Sequence, residues 1–67
     1  MHKVGKAIKG LLIERDMTVR ELEEAAGIDH SKMYRRMNGK EFKLGEGVRI
    51  ARALGISVDE FAERIDV

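Results

Sequence analysis

A chain of 67 residues sits near the lower limit of what folds unaided. With no cysteine it has neither a disulfide nor a thiolate metal site to help it. No apolar run approaches the roughly 18 residues of a membrane span, and the opening MHKVGKAIKG has no signal-peptide apolar region. The expectation is a cytoplasmic protein with no membrane partner. The net charge of +1 hides a segregation. Residues 1–13 carry Lys3, Lys6 and Lys9 and no acid, and residues 14–29 carry six acids against Arg15 and Arg20. Residues 30–43 carry five basic side chains against Glu41, while 44–67 turn acidic again. A basic stretch of this kind is the footprint of a polyanion binder, although its size alone favours a solvated face.

There is no proline, no alternating pattern and no low-complexity stretch, so the periodicity reads as helical throughout. Helix 1 is expected over about Lys3 to Arg15, with Val4, Ala7, Ile8, Leu11 and Leu12 forming one apolar stripe. Lys3, Lys6 and Lys9 lie off that stripe, and Gly5 and Gly10 each weaken the helix by about 1 kcal/mol relative to alanine. Helix 2 opens at Thr18, whose T-x-x-E spacing to Glu21 is a capping box, with Met17 and Leu22 as its hydrophobic staple. Val19, Leu22, Ala25 and Ala26 are expected to face inward. Gly27 stands where a glycine ends a helix in a left-handed turn, followed by the apolar Ile28.

Helix 3 begins at once, with Asp29 as N-cap and Ile28 and Met33 as staple. It ends at Asn38-Gly39, a turn dipeptide. Helix 2 therefore stops and helix 3 starts within about three residues, which is the spacing of a helix-turn-helix. Helix 4 is expected from about Glu46 to Leu54, with Gly55 after it. Gly47 falls on its apolar stripe where a leucine would be expected, so either another backbone approaches closely there or the site is weak. Helix 5 opens with Ser57 and Glu60 as a second capping box and with Ile56 and Phe61 as a staple. Phe61 and Ile65 lie four apart.

The run MTVRELEEAAGIDHSKMYRRMNGKEFKLGEGVRIARALGISVDEF resembles the helix-turn-helix of lambda-repressor and Cro-type DNA-binding proteins. The shared elements are the cap-x-x-E-L opening, A-G-I at the turn, N-G-K after helix 3 and A-x-A-L-G-I-S-V-D-E-F at helices 4 and 5. The likeness spans about residues 4 to 63. It implies an all-α, five-helix lambda-repressor-like domain occupying residues 1–67, with the helix-turn-helix at about 18–37. It also implies double-stranded DNA as partner, with helix 3 lying in the major groove; no cofactor is expected, and no metal, since two lone histidines do not make a metal site.

Carried over position by position, the resemblance makes His30, Ser31, Tyr34 and Arg35 the base contacts. Asn38 stands where many members touch a phosphate. Lys32, Lys40 and Lys43 suit phosphates by charge, as do Arg20 and Arg36. This chain departs from the pattern at Val19, where members often carry a phosphate-touching glutamine, so Arg20 and the helix N-terminus take over that contact. It departs again at Arg36, a usually apolar position, where the stem is expected to cover Met33 or Met37 while the head reaches out. Gly47 is the third departure.

Plainer readings stand beside these. His30 also fits an exposed polar residue, and Tyr34 fits packing against the next helix. Arg35 and Arg36 can pair with Glu23 or Glu24, and Arg20 with Glu24 four residues on. No nucleophile–base pair, phosphate loop or ligand cluster supports an enzyme. The leading function is a sequence-specific transcriptional regulator, a repressor of the phage or prophage Cro type acting by occupancy. The alternative is a protein-interaction module on the same fold, such as an antitoxin or a regulator-binding protein. Ile65 and Val67 are expected to form a weak homodimer interface assembled on a near-palindromic operator. The competing reading folds Ile65 back onto helix 1 of its own chain.

Overall fold

The computed structural model describes residues 2–66. Over them the chain forms α1 (Lys3–Glu14), α2 (Val19–Ala26), α3 (His30–Met37), α4 (Leu44–Leu54) and α5 (Val58–Asp66), with no strand among the described residues. The all-α expectation holds, and most boundaries fall where the local signals put them.

Those boundaries have identifiable chemical causes. At α2 the Glu21 N–H donates to Thr18 Oγ1 at 3.1 Å, and the Thr18 N–H donates to Glu21 Oε1 at 2.9 Å, so the capping box closes in both directions. At α3 the Lys32 N–H donates to Asp29 Oδ1 at 2.8 Å. At α5 the Glu60 N–H donates to Ser57 Oγ at 3.0 Å. Helix α2 ends at Gly27, whose φ of +68° lies in the left-handed region that a glycine enters without Cβ strain. The following Ile28 N–H returns to Glu23 O at 3.1 Å and closes the cap. Helix α4 ends in the same way, with Ile56 N–H on Ala51 O at 3.0 Å.

The start of α1 at Lys3 falls where expected, and that of α4 does not. Helix α1 is capped by His2, whose Nδ1 accepts from the Val4 N–H at 3.1 Å. Helix α4 begins at Leu44, two residues ahead of Glu46, behind Lys43, which caps it without a side-chain bond.

The core draws on every helix. Ile8 and Leu11 of α1, Leu22 of α2, Met33 of α3, and Ile50 and Leu54 of α4 are completely buried, and Phe61 of α5 nearly so. Each such side chain contributes about 1.5–3 kcal/mol relative to exposure. Helix α1 packs against α3 and α5, while α2 and α5 both pack against α4. The α2–α3 corner is thereby held from two sides, α2 by α4 and α3 by α1.

Two expectations are corrected here, those for Ala25 and Gly47. Ala25 is exposed; α2 has only eight residues, and Leu22 and Ala26, with the half-buried Val19, already supply its inner face. Gly47 is approached by a ring, not by a backbone: a Cβ built there would stand 3.1 Å from Phe42 Cε1, and Phe42 in turn tilts against Phe61 with 6.3 Å between centroids. Ile65 is half-buried and packs on the core of its own chain, which is the fold-back arrangement. Beside it the Arg64 guanidinium grips the Glu14 carboxylate at 2.7 and 3.1 Å and ties α5 to α1. Val67, the other expected interface residue, lies outside the described residues.

Candidate nucleic-acid interface

Helix α3 divides into two faces. Met33 and Arg36 are buried and Met37 is half-buried, which turns His30, Ser31, Lys32, Tyr34 and Arg35 to the outside. Tyr34 is 66% exposed, so it is not packed under the next helix. His30, Tyr34 and Asn38 succeed one another at four-residue spacing and share the wall of an open groove of about 470 Å³, with Lys9 of α1 and Val19 and Glu23 of α2 on the other sides. Helical spacing alone makes Lys9 one more lysine off the apolar stripe. The fold sets it beside the outward face of α3.

The residues expected at phosphates are mostly free to act as such. Lys32, Lys40 and Lys43 are exposed. Arg20 is also exposed, with its Nε 3.8 Å from Glu24 Oε1, a loose surface pair that contributes little. Asn38 also serves the helix end, where its Nδ2 donates to Tyr34 O at 2.9 Å and satisfies a carbonyl in the last turn of α3. One amide proton remains for an outside acceptor.

Arg36 is the exception, and its expected phosphate contact is corrected. Its side chain is 3% exposed. Nε donates to Glu46 Oε1 at 2.6 Å and Nη2 to Glu46 Oε2 at 3.2 Å, while Nη1 reaches Lys40 O at 3.4 Å. The guanidinium is turned inward and engaged by these partners. The Arg36 hydrogen bonds hold the Glu46 carboxyl below the usual carboxylate range against the opposing effect of burial. Arg36 therefore joins α3 to α4 and to the loop that carries Lys40.

The loop itself is closed by a double cap. The Gly39 N–H returns to Arg36 O and the Lys40 N–H to Arg35 O, both at 2.9 Å. Gly39 has φ +78°, and a Cβ there would fall 2.5 Å from His2 Nε2, so the N-terminal cap residue of α1 is packed onto the loop after α3.

One contact on the outward face has no counterpart in the sequence pattern. His30 Nδ1 lies 2.8 Å from Glu23 Oε2, across the turn between α2 and α3. Glu23 therefore pairs with His30 and not with Arg35 or Arg36. The contact spans seven residues and a turn, a separation for which helical spacing rules give no signal.

A helix ended by Gly27, a three-residue connection and a second helix with an outward basic and polar face make a helix-turn-helix. The family model for the Cro/C1-type HTH DNA-binding domain matches residues 7–66. The chain belongs to that family. Comparison with curated proteins and with solved structures finds no match. As a Cro/C1-type domain the chain is a DNA-binding regulator, and no helix among its described residues is long and apolar enough to cross a membrane.

Proposed function

We propose that this Cro/C1-type domain represses transcription by occupying an operator, with α3 in the major groove. The observation that carries the reading is the outward face of α3. His30, Ser31, Tyr34 and Arg35 stand clear of the core on one helix, and the only arginine of that helix turned inward is neutralised by Glu46. Arg35 is suited to fork onto guanine O6 and N7. Arg20, Lys32, Asn38, Lys40 and Lys43 surround that face and are suited to phosphates, which fix register without reading sequence.

One recognition helix reads few base pairs. Two copies on a near-palindromic operator, with half-sites about one helical turn apart, would give tight and specific occupancy. Because Ile65 is engaged by its own core, the free dimer is weak and the DNA assembles it. The protein then works where chromosomal or phage DNA is accessible, in the cytoplasm of a bacterial or phage-infected cell.

Selection from random duplexes, followed by titration of the winning site at several salt concentrations, tests the reading. The expected result is one enriched motif with two related halves and an affinity that falls linearly in log–log form with salt. Binding without salt dependence, or to a protein and to no duplex, overturns it in favour of an interaction module.

A further inference from the structure

His30 is the first residue of α3, and its ring is 80% exposed, while the Glu23 carboxylate that it touches is 12% exposed. The pair is thus asymmetric. The acid is sheltered and fixed on α2, and the imidazole is presented outward from it. An ionised carboxylate can only accept, so the proton between them belongs to His30 Nδ1. That assignment settles the other end of the ring: in neutral imidazole Nε2 is left with a lone pair and accepts.

We propose that Glu23 is a positioning residue that sets which base His30 reads, by holding its ring in the tautomer whose Nε2 accepts. The inference rests on α3 reading DNA. In the major groove an acceptor at Nε2 pairs with an exocyclic amino group, cytosine N4 or adenine N6, and is repelled by guanine O6 and N7. The titratable and charged groups that surround the ring are Glu23 and Arg20 from α2, Lys9 from α1, and Asp29 and Tyr34 on its own element. Of these, Glu23 alone is within hydrogen-bond distance of the ring.

A mere tether between α2 and α3 would affect stability and not base choice. The test therefore reads base choice. Duplex selection is run with the wild-type chain, Glu23→Gln and His30→Ala under one set of conditions. The expected wild-type motif has one position per half-site that favours cytosine or adenine over guanine. Glu23→Gln, whose amide tolerates either tautomer, should lose about 3- to 10-fold of that discrimination at that position alone, as one hydrogen bond is worth. His30→Ala should be indifferent there.

A wild-type chain that enriches no sequence overturns the DNA-reading proposal and this inference with it. A motif that a folded Glu23→Gln, checked by its circular dichroism, leaves intact overturns this inference alone, as does a wild-type motif with no cytosine- or adenine-favouring position that His30→Ala loses.

Discussion

Arg36 and Glu46 face each other across the boundary between α3 and α4 and meet at two points, 2.6 and 3.2 Å apart, with both side chains less than one-tenth exposed. Removing one partner strands the other charge away from water, which is far worse than removing both. Arg36→Ala or Glu46→Ala should lower the melting temperature by more than about 10 °C in a domain this small. The double replacement Arg36→Met with Glu46→Leu should recover much of that loss. Calorimetry of the three variants checks the expectation; equal melting temperatures for the single and double variants would refute the pairing.

The same pair makes stability depend on acid. Arg36 depresses the Glu46 carboxyl, and Arg64 depresses that of Glu14. A carboxyl depressed in the folded state contributes stability that is present above its unfolded value, about 4.3, and is lost as pH falls through the folded value. The arginines are raised, so their side of the linkage operates only at strongly alkaline pH. Urea midpoints should therefore be level with respect to these groups from pH 7 to 5 and fall below about pH 4. Glu46→Gln should start lower at pH 7 and fall less steeply on acidification.

Readers and positioners can be separated by specificity. Arg35→Ala should weaken the preferred site by about 1–3 kcal/mol and relax its base preference, whereas Lys40→Ala should weaken all duplexes about equally and reduce the salt slope by about one. Competition binding against single-base variants of the site gives both quantities. Loss of affinity with unchanged preference in both variants would assign Arg35 to the phosphates.

Two helical glycines should respond in opposite ways. A Cβ at Gly10 meets nothing within 4 Å, so Gly10→Ala should stabilise by about 0.5–1 kcal/mol through helix propensity alone. At Gly47 the Phe42 ring is already 3.1 Å from the Cβ position. Gly47→Leu should destabilise by about 1–3 kcal/mol by forcing Phe42 away from Phe61. Denaturant unfolding of both variants measures the contrast, and a stabilised Gly47→Leu would show that the ring moves freely.

Ile65→Asp should destabilise the monomer by about 1–3 kcal/mol, because it sets a charge against the core. Urea unfolding of the variant gives that loss directly. A variant with wild-type stability that has lost only cooperative binding to a two-half-site duplex would instead return Ile65 to a subunit interface.

Local signals carry most of the fold. Thr18, Asp29 and Ser57 cap the helices they precede, and Gly27 and Gly55 end theirs, since each device acts within about four residues. The start of α4 is not legible in this way, because Lys43 offers no capping oxygen. The burial of Arg36 is hidden too: its partner Glu46, ten residues on, looks like the opening residue of a helix, where an acid needs no partner, yet it is buried against Arg36. The outward set on α3 is legible from period and charge. The pairing of His30 with Glu23 is not, because it depends on the angle at which two helices leave a turn.

Gly39 is constrained twice, and genetics can tell the two constraints apart. Its φ of +78° excludes most side chains by backbone strain, and the His2 ring excludes them by volume. Asparagine tolerates the left-handed region, so Gly39→Asn leaves mainly the collision, and second-site revertants that shrink His2 should restore much of its function. Gly39→Val retains the strain whatever stands at position 2, and the same suppressors should do little for it. A revertant screen on the two alleles would thus map a neighbour 37 positions away in the chain and separate shape from torsion at a single codon.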